Sequence, residues 1–552
     1  MMDAVQTNTK KTFLSGVLLL SISTLLVKLI GLIYKIPMLT YLGSEGMGYF
    51  NSAYEIYALF CVIATAGLPV ALSVLISQAI AKGESFRVQR IYRVAMTVFL
   101  WLGVLGTAVM MLFAGTFCKL IKSQNAFYCI LSIAPTIFFV CISSALRGYF
   151  QGHQRMLPTA ISQIIESVGK LVFGLVLARY ALHQGYSTAT VAAFAGLGLT
   201  LGTAVSMLYL MLEKKRFSRT CDSPIPTKSE TFPEKYRDVL KKLAKLAIPM
   251  TLGASLVSVT KLIDMTMILR RLQSIGYTEI GANEAYGSYT TLALSVYGLL
   301  PALVNAVALP LVPMLSAAIA SKDQNRQEQM IRTSYRLTAL FAIPAALGVA
   351  AFARPILTLL FGSDPEAVAA ASPLLSYLGV SVFLSCMITA TNSVLHAYEE
   401  VNRPILSMLA GAGVKIVGAY FLIGIPQIAL LGAPISTFLC NAAVVLINLY
   451  FATKLCAVRG LRPIFLKPLL CAALAVGGSL WLFWTLCRYS LGQTAAFLIA
   501  MAVAVLGYLL LSCLFGVFCA EDVALLPFGE KLCSVLRRLH LLRRINREEQ
   551  NF

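Results

Sequence analysis

The stretch Phe13-Leu-Ser-Gly-Val-Leu-Leu-Leu-Ser-Ile-Ser-Thr-Leu-Leu-Val-Lys28-Leu-Ile-Gly31-Leu-Ile-Tyr-Lys35-Ile-Pro37 decides the fold. About 24 helical residues at ~1.5 Å each cross a bilayer core of ~30 Å, so this run predicts a membrane span. Lys28 stands about 15 residues into it, too deep for easy snorkelling. A charge at that depth costs at least ~2.5–3.5 kcal/mol, so such a residue faces a bundle interior or a wet cavity rather than lipid. The arrangement returns at Val259-Thr260-Lys261, and Lys170 and Lys415 interrupt two further apolar stretches. A chain that repeatedly sets cations inside its membrane helices is expected to handle an anion there.

Working outward, the whole chain reads as an all-α integral membrane protein. It has 552 residues, 58% hydrophobic and 12% charged, with mean hydropathy +0.79. Fourteen apolar spans are expected, at about 13–37, 49–81, 91–117, 126–147, 158–181, 189–212, 243–269, 285–320, 333–361, 368–397, 405–424, 427–453, 464–487 and 492–518. The formal net charge of +21 would suggest nucleic acid in a soluble chain. Here 33 of the 45 Lys and Arg fall at the N-terminus, in alternate connections and in the tail, with 7 on the opposite side and 5 inside spans. That bias is the positive-inside pattern, which excludes a nucleic-acid partner and puts both termini in the cytoplasm. The thirteen cysteines are scattered without a CxxC or Cys/His cluster, as expected of small hydrophobes in a reducing compartment. Lys10-Lys11 precedes a long apolar run with no small-residue cleavage site, so the first span reads as retained.

The chain divides into residues 1–212 (spans one to six), a polar basic linker 213–242 with Pro224, Pro226 and Pro233, residues 243–456 (spans seven to twelve), 457–518 (spans thirteen and fourteen) and a tail, 519–552. Ser77 to Ala81 with Tyr92-Arg93 recurs as Ser316 to Ala320 with Tyr335-Arg336, and Leu146 through Arg155 to Lys170 recurs as Leu395 through Arg403 to Lys415, at offsets of 239 to 249 residues. Six spans per repeat is even, so both halves enter from one side: two parallel six-helix repeats plus two C-terminal helices. Transporters so built bind near the midplane between the halves. In the tail, Leu532, Val535, Leu536, Leu539 and Leu542 share a face among Arg537, Arg538, Arg543 and Arg544. This reads as a helix lying on anionic inner-leaflet lipids, against the alternative of a solvated tail helix.

The candidate cavity residues are the ionisable ones within spans: Lys28, Lys35, Glu55, Glu166, Lys170, Lys261, Asp264 and Lys415, with Arg270 at the outer end of span seven. Glu166 and Lys170 are spaced i,i+4, and Lys261 and Asp264 i,i+3, so each pair shares a helix face. The bland alternative makes both of them neutralised pairs joining helices, has Lys35 snorkel to headgroups and leaves Arg270 a juxtamembrane anchor. It does not cover Lys28 or Lys415, which have no acid nearby in sequence. Lysine is a mobile point charge suited to phosphate, so a phosphate group passing through the protein is the natural partner. Gly67, Pro69, Pro301 and Pro310 interrupt spans two and eight and are candidate hinges, since broken helices are tolerated where they line a cavity. No Walker, GxSxG or HExxH motif is present, and only four histidines. No catalysis, metal or cofactor is expected.

Val27-Lys28-Leu-Ile-Gly31, the run Tyr41-Leu-Gly43-Ser-Glu-Gly46-Met-Gly-Tyr49, and Gly67-Leu-Pro69 with Ser77 resemble the stage V sporulation protein B and polysaccharide-transporter family of the MOP exporter superfamily, which also holds the MurJ lipid II flippases and MATE antiporters. The resemblance runs over essentially the whole chain. It implies a flippase in the bacterial cytoplasmic membrane moving an undecaprenyl-diphosphate-linked saccharide, foremost lipid II for vegetative wall or spore cortex, with cell-wall synthesis proteins as partners. In the MurJ group a cationic cavity holds the diphosphate, and Lys28 falls where that group has a first-helix arginine. The next positions depart: an Arg-Asp pair there is Tyr34-Lys35 here. The competing readings are a cation-coupled drug exporter, which needs a dominant acidic cavity, a membrane glycan polymerase or ligase, which needs a sizeable outer loop with acids, and a scaffold without transport.

Overall fold

The protein is described here from a computed structural model covering residues 2–221, 235–308, 315–316, 318–319, 321, 323–400, 402–456, 461–489 and 492–517. Among these the regular structure is entirely helical. In hydrocarbon every backbone N–H and C=O must be satisfied within its own segment, and the helix does that for apolar runs of this length.

The first helix, α1 (Met2–Thr65), is 64 residues long, about 95 Å and far more than one crossing requires. It holds two spans, because at Gly43 the backbone leaves the helical region (φ 63°, ψ 178°), a conformation that glycine adopts without strain. The second span continues past a break at Ala66 into α2 (Gly67–Ala81). Next come α3 (Ser85–Leu112), α4 (Ala114–Ile121), α5 (Phe127–Ile133), α6 (Thr136–Gly152), α7 (Leu157–His183), α8 (Thr188–Cys221), α9 (Tyr236–Ser274) and α10 (Glu279–Ser288). A π-helical turn, Tyr289–Ala293, leads into α11 (Leu294–Ala308). The rest are α12 (Gln324–Ala351), α13 (Ala353–Phe361), α14 (Pro365–Ala397), α15 (Asn402–Ile423), α16 (Gly432–Leu455), α17 (Leu461–Arg488) and α18 (Gln493–Leu514). Among the described residues twelve stretches are long and apolar enough to cross a membrane, the first of them 60 residues, Ile22–Ala81, and so long enough for two passes. With the run Glu279–Ala308 as a further crossing, the helices are consistent with fourteen spans. The linker read at 213–242 has helical ends, since α8 continues to Cys221 and α9 begins at Tyr236. Residues 222–234, Pro310, Pro313 and the tail from 518 onward lie outside the described residues.

The chain forms two compact units, Met1–Thr291 and Leu292–Phe552. The repeat offset divides the chain near 212/243, whereas the packing boundary follows Thr291, because α9 and α10 pack onto α1 and α2. Glycines make that packing close. A Cβ on Gly48 would lie 2.1 Å from the Asn283 carbonyl oxygen, one on Gly287 1.9 Å from that of Ser44, and one on Gly67 2.2 Å from that of Ala247. Gly67 is therefore a contact point between α2 and α9 as well as a helix start, with Pro69 buried two residues on. Helices α7 and α8 cross the same way, a Cβ on Gly198 falling 2.3 Å from the Gly174 Cα. Small residues at such crossings let helices gain van der Waals contact where lipid gives no hydrophobic driving force.

The second unit packs Leu337, Leu340 and Ile343 of α12 against Cys471, Ala475 and Tyr508 of α17 and α18, and the Tyr508 hydroxyl donates to the Leu340 carbonyl at 2.7 Å. Asn448 of α16 ties α14 and α15 together: its amide donates to Thr391 Oγ1 (3.1 Å) and Asn392 Oδ1 (2.8 Å), and its Oδ1 accepts from Ser407 Oγ at 2.6 Å. Pro301 lies inside α11.

Candidate functional site

Three elements of the first unit bring lysines together. On α1, Lys28 and Lys35 are seven residues apart, close to two turns, and so share a face. Lys261 comes from α9 and Lys170 from α7. Lys28 and Lys261 are both exposed and lie within electrostatic reach of each other. Lys35 is half-buried, in reach of Lys170, Lys261 and Glu55. Its Nζ donates to the Thr290 carbonyl at 3.2 Å, so it turns inward instead of snorkelling to headgroups. Thr290 sits in the π-helical turn, which shifts the regular ladder and aims backbone groups sideways. Asn51 fixes the turn by donating to Thr290 Oγ1 (2.8 Å) and Thr291 Oγ1 (2.9 Å).

Lys170 lies over three aromatic faces: its Nζ is 4.9 Å from the ring centre of Tyr34, 5.5 Å from Phe50 and 4.8 Å from Tyr54. Tyr34 and Phe50 are buried. The ring quadrupoles offset part of the desolvation cost of the ammonium, which among the described residues has no ion-pair partner. This corrects the reading of Glu166 and Lys170 as a neutralised pair. Glu166 instead accepts from Arg147 of α6 at 2.7 Å, with side-chain exposures of 13% for Arg147 and 23% for Glu166. Arg147 Nε also donates to Ser162 Oγ at 2.9 Å, and Ser206 Oγ donates to the Ser162 carbonyl at 2.8 Å, so the network joins α6, α7 and α8. A guanidinium fork reaches two acceptors at once, which a lysine one turn along the same helix does not match.

One predicted residue of this unit stands apart from the cluster. Arg270 is exposed at the far end of α9, where its Nε donates to the Leu120 carbonyl at 2.6 Å, close to the C-terminus of α4, while Gln273 donates to the Lys122 carbonyl at 2.7 Å. A cation on the last carbonyls of a helix is an anchor. Lys415 is half-buried on α15 in the second unit. Sequence reasoning missed Arg147, Asn51, Thr290 and the aromatic trio. Among the described residues, no group of three or more His, Cys, Asp or Glu is placed to hold a metal ion.

The charge balance follows. Arg147 and Glu166 cancel, which leaves Lys28, Lys35, Lys170 and Lys261 against Glu55 and Asp264: four cations to two carboxylates. Such a cluster inside a membrane unit is suited to an anion.

The fold is similar to those of solved flippase and transporter structures. A solved structure of the lipid II flippase MurJ in an inward closed conformation matches with a TM-score of 0.67 at 16% identity, over 90% of this chain and 98% of that one. An inward-facing multidrug resistance MATE family transporter matches at 0.64 and 14% identity, over 80% and 97%. The polysaccharide biosynthesis protein family matches residues 13–319, and the chain belongs to that family. The MatE family matches residues 249–421. Stage V sporulation protein B of Bacillus subtilis (strain 168) is 25% identical over 77% of this chain and 81% of its own length, and the lipid II flippase MurJ of the same organism is 25% identical over 91% and 94%.

Proposed function

We propose that this protein is a flippase that carries an undecaprenyl-diphosphate-linked saccharide, foremost the peptidoglycan precursor lipid II, from the inner to the outer leaflet of a bacterial cytoplasmic membrane. The observation that carries the proposal is the surplus of lysine over carboxylate in the first unit. A diphosphate is a compact, highly charged anion, and lysine ammonium groups recognise it as point charges. Lys28 and Lys261, the two exposed members, are its first contacts, and Lys35 and Lys170 its deeper ones. The prenyl tail stays in the bilayer while the polar head moves through by alternating access. The relatives named as a lipid II flippase and as a sporulation protein support the glycan class. The match to the MatE family raises a drug-exporting alternative, but a site for organic cations needs the opposite charge balance. The transporter reading also accounts for the chain better than a membrane glycan polymerase or ligase does.

The test is complementation in a rod-shaped bacterium depleted of its lipid II flippase, comparing the parent with Lys28→Ala at matched protein level. Rescue by the parent and failure of the variant is the expected result. Rescue by both removes Lys28 from the mechanism, and no rescue by a well-expressed parent moves the substrate to another polyprenyl-linked glycan.

A further inference from the structure

A cavity of about 510 Å³ opens at one end of the first unit, where α3 begins and α6 and α8 finish. Its apolar wall is Met96, Leu146 and Met211, and its rim is Tyr92, Lys214 and Lys215, with Ser218 one turn beyond. Lys214 is set in place by aromatic faces, its Nζ 3.7 Å from the ring centre of Tyr92 and 5.5 Å from that of Tyr149. Among the described residues no carboxylate lines the cavity, and the neighbouring Glu213 is turned to Arg216 at 3.8 Å.

The order of these groups along the helices identifies the ligand. Met96 is four residues further into α3 than Tyr92, about 6 Å, and Met211 precedes Lys214 on α8 by three residues, about 4.5 Å. The apolar wall therefore lies toward the middle of the spans and the ammonium groups toward their ends, as the acyl chain and headgroup of a lipid are arranged. We infer that this cavity binds an anionic phospholipid, its phosphate against Lys214, Lys215 and the Ser218 hydroxyl and an acyl chain along Met96, Leu146 and Met211. A free phosphate would use the rim and leave the apolar wall without a role. A zwitterionic headgroup would set its own cation beside two lysines. The site is separate from the lysine cluster: Gly202, whose Cβ would meet the Lys170 backbone nitrogen at 2.5 Å, is twelve residues before Lys214 on α8, or about 18 Å. The bound lipid would hold α3, α6 and α8 together at that end of the unit.

The experiment uses the purified full chain, delipidated in neutral detergent, with native mass spectrometry and thermal unfolding read against phosphatidylglycerol, phosphatidylcholine of the same acyl chains, and inorganic phosphate. Phosphatidylglycerol is expected to be retained and to raise the unfolding temperature at concentrations where the other two do neither. Lys214→Gln with Lys215→Gln is expected to weaken phosphatidylglycerol binding by about tenfold or more, the loss of two juxtamembrane cations. Met211→Trp, which fills the apolar wall and keeps both charges, is expected to weaken it also, and stands in if the lysine variant fails to fold. Equal effects of the two lipids, a matching effect of inorganic phosphate, or unchanged binding by a folded variant would each overturn the inference.

Discussion

Arg147 and Glu166 are best separated from the transport chemistry by a double-mutant cycle. At 2.7 Å and an effective dielectric of about 20 their attraction is about 6 kcal/mol before desolvation is subtracted. Exposures of 13% and 23% leave little water to screen it. Removing one partner strands a charge inside the membrane unit and is expected to cost about 3–5 kcal/mol for Arg147→Met or for Glu166→Leu. The double variant strands no charge, and replacing both partners by apolar groups is expected to cost about 2 kcal/mol or less, the residue being the Ser162 hydrogen bond and imperfect packing. Unfolding in lipid nanodiscs by heat or by graded SDS measures all four corners. Transport by the double variant is expected to persist, because the two charges satisfy each other across α6 and α7. Additive single effects, or a stable double variant that has lost transport, would refute the reasoning: the first denies the pair its coupling and the second makes Arg147 or Glu166 a working residue of the site.

Two further outcomes follow from the geometry. Gly48→Val is expected to destabilise the first unit by about 3 kcal/mol or more, as overpacking at a backbone crossing, since its first side-chain carbon would lie 2.1 Å from the Asn283 carbonyl oxygen; unfolding temperature reports it, and a neutral Gly48→Val would show that α1 and α10 do not approach as described. Lys170→Met fills the same aromatic nest with an apolar, flexible chain, so stability should hold or rise while complementation falls, whereas loss of both would make Lys170 a packing residue alone.

The spans were legible because a membrane crossing is a composition and a length, and Phe13 to Pro37 states both. That Lys28, Lys35, Lys170 and Lys261 stand inside spans was legible too, since each interrupts an apolar run. Their partners were not. The i,i+4 spacing puts Glu166 and Lys170 on one face, yet the face is shared with whatever a neighbouring helix presents, and α6 presents Arg147. That arginine lies at the end of its apolar run, where a positive-inside count assigns it to a connection; only the packing of α6 against the α7–α8 pair shows it turned inward. Thr290 was hidden for another reason. A carbonyl has no residue-type signal, and the π-helical turn that exposes it is a local change of hydrogen-bond register within an unremarkable apolar sequence. The packing boundary after Thr291 was hidden likewise, since a repeat records ancestry while packing depends on which glycines let α9 and α10 approach α1 and α2.

The lysine cluster also makes a prediction about its own ligand. Lys28 acts on Lys261, and Lys35 on Lys261 and Lys170, so each added cation raises the cost of holding the others nearby. Glu55 and Asp264 offset two of the four. An anion arriving among them replaces repulsion with attraction, and its binding is coupled to folding by mass action: at a hundred times its Kd a ligand adds about 2.7 kcal/mol to stability. A short-chain prenyl diphosphate is therefore expected to raise the unfolding temperature more than the matching prenyl monophosphate does. The gain should shrink in Lys28→Ala with Lys261→Ala and persist in Lys214→Gln with Lys215→Gln, whose lysines lie outside the cluster. It should also fall as salt is raised toward 1 M, where the screening length contracts to about 3 Å. Equal shifts for diphosphate and monophosphate, or a full shift in the Lys28 and Lys261 variant, would mean that prenyl burial and not the cationic cluster carries recognition. The reading of these four lysines as the anion site would then fall with it.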